Sequence, residues 1–244
     1  LGFALRLYGL DILGPWSDEL ASIYYANNLS EVFAEETHPP LFYIFLKPFF
    51  LLFEQDIQSL RLVLVCTGLG ISSYSIFLAS KIFSRNSLYI LAILLFLSHV
   101  DIIHSRMIRQ YSLFFNLTLL LIILSHIPKP NRWGKFAIGI LISGVHPLGF
   151  LIPFSLAVDE LLVNKKVTRD VLVYSVSIIP FVGYYAFRFF FLGNEITSGY
   201  SGKGEKKFYL LQDVFFNLAG EHFPKINIYP IPFFAMILVA LFLF

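Results

Sequence analysis

Residues 61–83 read R-L-V-L-V-C-T-G-L-G-I-S-S-Y-S-I-F-L-A-S-K-I-F, an apolar run charged only at its first residue and near its end. About 20 consecutive, mostly apolar residues are what a helix needs to cross a bilayer. This stretch therefore sets the fold class: an all-α, polytopic transmembrane helical bundle. The rest of the chain agrees. Further apolar segments fall at Leu88–Val100, Tyr111–Ile127, Trp133–Val145, Leu148–Val163, Val171–Leu192 and Tyr229–Phe244. Of 244 residues, 57% are hydrophobic and only 14% charged, against about 25% charged in a soluble domain.

The bulk numbers also exclude some classes. Net charge is +2 with no Lys/Arg tract, which argues against a nucleic-acid partner. The single cysteine, Cys66, lies inside an apolar run and forms no intrachain disulfide. No G-x-x-x-x-G-K-[ST], H-E-x-x-H, C-x-x-C or G-x-S-x-G occurs, so ATP-driven transport, zinc proteolysis and serine hydrolysis lack their usual signatures. Leu1 to Leu10 reads as the last turns of a helix, and the final apolar run is short for a span. The expected unit is a single transmembrane domain, incomplete at both ends, within a larger protein.

Lys81/Arg85, Lys129/Arg132/Lys135 and Lys165/Lys166/Arg169 form three basic clusters. The positive-inside rule places all three on the cytoplasmic side, with two crossings between successive clusters. Leu88–Val100 and Tyr111–Ile127 then form one hairpin, turning at Asp101–Arg109. Trp133–Val145 and Leu148–Val163 form a second, turning at His146–Pro147, where proline stops the helix. A single long helix over 135–163 is the competing reading and would separate two clusters. Leu41–Phe53 is too short to span and reads as a juxtamembrane helix. Two external loops result, about 11–58 and 193–228. Asp18, Glu19, His38, Asp101, His104, Arg106, Arg109 and His146 all converge on the external side.

Charged groups at a membrane boundary are costly and point to a functional site. W-S-D-E-L at 16–20 carries Asp18 and Glu19. Ser17 as a helix cap with two acids in the first turn is the plain structural explanation; a general base toward an acceptor hydroxyl is the functional one. His38 heads H-P-P-L-F-Y at 38–43 and could orient that base or, with Glu19, hold a divalent metal ion. S-H-V-D-I-I-H-S-R-M-I-R-Q-Y at 98–111 packs acids, imidazoles and arginines into one turn. Asp101 and His104 are spaced to share a helix face. Arg61, Arg106, Arg109 and Arg188 stand near external helix ends and suit a phosphate-bearing lipid head group. Tyr111 adjoins that cluster, and His146 sits alone at its turn, where an ordinary surface histidine is the competing reading.

The ordered series R-L-Y-G-L-D-I-L-G-P-W-S-D-E-L at 6–20, H-P-P-L-F-Y at 38–43, L-R at 60–61, S-R-M-I-R-Q-Y-S-L at 105–113 and G-V-H-P at 144–147 resembles the GT-C membrane glycosyltransferases. It is most similar to bacterial relatives of protein O-mannosyltransferases and lipid A aminoarabinose transferases. The resemblance implies a sugar donor linked to polyprenyl phosphate, used on the extracytoplasmic side of a bacterial or archaeal plasma membrane. It implies Asp18 as the base, Glu19 as its neighbour, His38 in the H-P-P element, and Asp101 and Arg109 near the second external turn. The expected reaction is an inverting single displacement onto a protein, lipid or glycan acceptor. The rivals are a transporter or lipid-binding membrane protein, and a ligase for intact lipid-linked glycans.

Overall fold

A computed structural model describes residues 1–10, 14–34, 38–54, 56–127 and 131–191. The expected loop 193–228 and the segment Tyr229–Phe244 lie outside these residues, as does Lys129. The chain divides into two compact units, residues 1–187 and 188–244, and the architecture below is that of the first.

Every element among the described residues is helical, with no strand: α1 (Gly2–Leu7), α2 (Ser17–Asn27), α3 (Leu29–Ala34), α4 (Leu41–Leu52), α5 (Ile57–Ala79), α6 (Arg85–Leu97), α7 (His99–Ser105), α8 (Tyr111–His126), α9 (Arg132–Val145), a 3-10 turn (Pro147–Phe150), α10 (Leu151–Asn164), α11 (Arg169–Ser177) and α12 (Ile179–Phe191). Among the described residues, three stretches are long and apolar enough to cross a membrane: Ile57–Ala79, Pro147–Asn164 and Arg169–Arg188. A fourth is the pair α6 and α7, if the two helices, bent by 45°, count as one span. These mark the chain as a membrane protein, all-helical among the described residues. Leu41–Leu52 and Tyr111–His126 are shorter apolar helices.

Local chemistry sets most of the helix starts. Asp56 caps α5 by accepting from Ser59 N at 2.9 Å, Asn131 caps α9 through Gly134 N at 3.1 Å, and Thr168 caps α11 through Val171 N at 3.2 Å. Each satisfies an amide that the first helical turn would leave orphaned. At α2 the arrangement departs from the simple cap expected at Ser17. Trp16 takes the N-cap position, and Glu19 reaches back to accept from its amide at 3.0 Å. The segment Val171–Leu192, read as one helix, is broken at Ile178 into α11 and α12.

Apolar side chains gain little by leaving lipid for protein, so helices in a bilayer associate through close packing and hydrogen bonds. On α5, Gly68, Ser72, Ser75 and Ala79 form a buried small-residue stripe. Against it lies α8: a side chain at Gly68 would come within 3.2 Å of the Ser112 hydroxyl, and Ser72 Oγ donates to Asn116. Farther along, Leu78 and Ala79 pack with Leu120, Ile123 and Leu124. The two helices therefore run parallel. The turn at His146–Pro147 is tight because Gly149 lies over α9: a Cβ there would sit 1.8 Å from the Ile142 carbonyl.

Pairing of the ends follows from side-chain contacts. Glu19 meets Arg61 near the start of α5, and Arg109 meets Asp18 just before α8. His146, after α9, stacks on Phe114 in α8. At the other end, Lys135 and Arg132 of α9 bind Asp170 of α11 at 2.6 and 3.1 Å. Both described residues of the middle basic cluster thus share one carboxylate, away from the turns that carry Asp18, Arg109 and His146. Helix α4 contributes Phe42, Tyr43, Leu46 and Phe50 to the larger core and exposes Ile44, Leu51 and Leu52.

Candidate functional site

The two acids of W-S-D-E occupy opposite environments because they are neighbours on one helix. Glu19 points into the protein, 1% exposed, and its carboxylate accepts four hydrogen bonds. Arg61 donates from Nε at 2.9 Å and from Nη2 at 2.7 Å, Trp16 N donates at 3.0 Å, and Ile108 N at 2.9 Å. Burial alone would raise its pKa. The bonds from Arg61, Trp16 and Ile108 outweigh that and hold the carboxyl below the usual range. Arg61 is consumed in turn, donating to Leu10 O at 2.8 Å and Gly14 O at 3.3 Å besides Glu19. This pair ties α2 and its preceding loop to α5 and to the turn before α8.

Asp101 is similarly committed. It is 5% exposed; Oδ2 accepts from Arg6 at 2.6 Å, and Oδ1 from Ser112 at 2.9 Å and Asn116 at 3.3 Å. The α6–α7 bend frees carbonyls at the end of α6, and Arg6 also takes two of them, Phe96 O at 2.8 Å and Leu95 O at 3.1 Å. Carbonyls freed at a helix break and buried need such internal partners. Glu19, Arg61 and Asp101, expected as catalytic or substrate-binding groups, are thus placed in buried, mutually neutralised pairs.

Asp18, by contrast, keeps a side chain that is 63% exposed, with Arg109 Nη2 3.4 Å from its Oδ2. Arg109 Nη1 also lies 3.4 Å from the Asp18 carbonyl, and Nη2 donates to the Tyr111 hydroxyl at 3.3 Å. The guanidinium sits over the Tyr111 ring, 5.4 Å from its centroid, while Arg109 Nε is buried without a hydrogen-bond partner. The ring of Tyr111 then continues a chain of aromatic contacts. It lies 5.1 Å from His104 and 5.8 Å from His146. His146 stacks on Phe114 at 4.6 Å and meets His38 at 6.3 Å. Asp18, Arg109, Tyr111, His146 and His38 therefore form one continuous group drawn from four separate stretches of chain.

His146 is held in a defined state. Its Nδ1 accepts from Leu148 N at 3.1 Å, capping the 3-10 turn. Burial, with His38 and Arg109 nearby, pushes its pKa down to about 3. It is accordingly neutral at ordinary pH, with the ring proton on Nε2.

Other expected residues stand apart. Arg106 closes α7, and its Nε is buried without a hydrogen-bond partner. Arg188 begins the second unit. A metal shared by Glu19 and His38 finds little support in the donor set, since a carboxylate accepting four hydrogen bonds is a poor ligand. Among the described residues, no three His, Cys, Asp or Glu side chains cluster to hold a metal ion. Sequence reasoning overlooked Arg6, Ser112, Asn116 and Phe114. Arg6 was detectable as the only charge in the first ten residues; the others carry no signal without their partners.

Fold and site together define a helical membrane protein with an exposed aspartate paired to a largely buried arginine beside a group of histidine and tyrosine side chains. The chain belongs to the family described as a domain of unknown function, DUF6311, whose model matches residues 21–227. That range takes in His38, Arg109, Tyr111 and His146 and begins just after Asp18 and Glu19. No curated protein and no solved structure matches the chain.

Proposed function

We propose that this chain is a GT-C-type membrane glycosyltransferase, transferring a sugar from a polyprenyl-phosphate donor to a hydroxyl acceptor on the extracytoplasmic side. The observation that carries this reading is the division among the acids. Glu19 and Asp101 are buried against Arg61 and Arg6, whereas Asp18 alone of the three stays exposed, beside Arg109. A general base must reach the acceptor's proton, and a phosphate ligand must reach the donor. Asp18 and Arg109 supply both within one contact. At 3.4 Å their ion pair is loose enough for phosphate oxygens to compete for the guanidinium.

In the proposed step, the acceptor O–H loses its proton to Asp18 as the oxygen attacks the anomeric carbon. The bond from that carbon to the phosphate oxygen breaks, and its electron pair leaves on polyprenyl phosphate, facing Arg109. Phosphate is a good leaving group, so no second carboxylic acid is required. The anomeric configuration inverts. Tyr111 holds Arg109, and His146 offers a neutral Nε2–H beside them. Glu19 and Arg61 position the α2 turn without touching substrate.

The test is to incubate the full-length protein in membranes with radiolabelled polyprenyl-phosphate sugars and follow loss of label from the donor. Asp18→Asn should lower turnover by about 10²–10⁴-fold, the usual contribution of a general base, while leaving folding intact. Turnover by Asp18→Asn at the wild-type rate, or a product of retained configuration, would sink the mechanism.

A further inference from the structure

Arg109 is paired more loosely than Arg6, Arg61 or Lys135, the buried cations of the same unit. Those three meet a carboxylate at 2.6, 2.7 and 2.6 Å, the short distances of charge-assisted hydrogen bonds. The side chain of Arg109 is only 12% exposed, yet its polar contacts lie at 3.3 Å to Tyr111 and 3.4 Å to Asp18. A guanidinium taken out of water and held this loosely is incompletely compensated. The Tyr111 ring beneath it fixes where it sits. The mobile partner is Asp18, whose side chain is 63% exposed and pairs with no other cation among the described residues. Its backbone is anchored in α2, where its carbonyl accepts from Ser22 Oγ at 3.0 Å. Rotation about the Asp18 side-chain bonds therefore uncovers Arg109 without moving either helix.

From this asymmetry we propose that Asp18 is a gate on an anion site centred on Arg109. At rest the carboxylate lies against the guanidinium Nη2 that a phosphate would take. A phosphate brings several oxygens at once, and the planar fork of arginine suits bidentate contact with them. It therefore displaces a single carboxylate oxygen held at 3.4 Å. The exchange turns the Asp18 carboxylate outward, where it is free to accept a proton. The inference rests on the transferase reading for its meaning, and it adds an order to that reading. The lipid-phosphate donor binds first, and an acceptor arriving before it meets a base still paired with Arg109. Asp18 thus opposes donor binding even though it serves the reaction. Removing its charge should tighten anion binding, the opposite of what a residue that merely shapes the site would do.

The test measures equilibrium binding of radiolabelled geranyl phosphate, a soluble probe that carries no sugar, to the full-length protein in phosphatidylcholine nanodiscs. Asp18→Asn should bind it about tenfold more tightly than wild type. An exposed ion pair holds back such an equilibrium by up to about fivefold, and removing a like charge about 4 Å from the phosphate contributes a similar factor. Asp18→Ser, shorter and also uncharged, should show the same gain. Arg109→Gln should weaken binding about tenfold or more, and adding Asp18→Asn to it should restore nothing, because no guanidinium is left to uncover. Should Arg109→Gln fail to fold, Arg109→Lys takes its place, and the gain from Asp18→Asn should shrink in that background. Binding by Asp18→Asn equal to or weaker than wild type would overturn the gate. An undiminished gain in the Arg109 variant would overturn it too, since general repulsion would then explain the effect. The probe cannot donate a sugar, so the two readings fail separately. Tighter binding by Asp18→Asn, with no turnover of any lipid-linked sugar by wild type, keeps the gate and removes the transferase. Turnover by wild type with unchanged binding by Asp18→Asn removes the gate alone.

Discussion

Replacing Glu19 with alanine removes four hydrogen bonds at once and takes from Arg61, 3% exposed, the carboxylate that accepts two of its N–H groups. It also strands the amide of Ile108, whose residue is 0% exposed. Breaking a buried ion pair by deleting one partner costs about 3–5 kcal/mol. For a protein of this size each kcal/mol shifts the midpoint by about 2–4 °C, so the fall should be on the order of 10 °C. Glu19→Gln should also destabilise, because its amide NH₂ would face donors already aimed at the carboxylate. The double variant Glu19→Leu/Arg61→Leu should recover part of the loss, since neither member of the pair is then left buried without the other. The assay is thermal unfolding of detergent-solubilised protein, read by size-exclusion recovery. The pH dependence has a definite sign. The folded carboxyl titrates below its unfolded value, so its stabilisation is complete above about pH 4.3 and is lost as pH falls through the folded pKa. A Glu19→Ala midpoint within about 2 °C of wild type would mean that less than about 1 kcal/mol resides in this pair, and the positioning role assigned to it would fall.

Three further outcomes are expected. Arg6→Ala should destabilise by about 3–5 kcal/mol, because it leaves Asp101 buried and two α6 carbonyls uncapped; Asp101→Asn in the same background should restore part of the midpoint. His146, with a folded pKa of about 3, resists a proton that the unfolded chain accepts near pH 6.5, so it subtracts stability progressively as pH falls from there. His146→Asn keeps an acceptor for Leu148 N, and its stability should fall less steeply between pH 6.5 and 4. In a Cys66-free background, cysteines at Asn131 and Asn164 should react only with membrane-permeant thiol reagents, and one at Asn27 should react with impermeant ones; the same reactivity at both ends would refute the proposed sidedness.

The sequence determined the helical content of this protein because membrane solvation is enforced residue by residue. An apolar run of the length of 61–83 has no other way to satisfy its backbone in hydrocarbon. Proline at 147 determined the break between α9 and α10 just as locally. The i, i+3 spacing of Asp101 and His104 also carried through, since both line one cavity on α7. What one dimension could not decide was the state of each charge. Asp18 and Glu19 are adjacent in sequence and equal in chemistry, yet a helix turns successive side chains about 100° apart. One meets solvent and Arg109; the other meets Arg61 from 42 residues away. Asp101 depends likewise on Arg6, 95 residues distant, for the charge that makes its burial tolerable. Burial and pairing arise from elements that meet only when the bundle packs, so the list of polar residues was legible in the chain, and the separation of the exposed acid from the buried ones belonged to the tertiary structure.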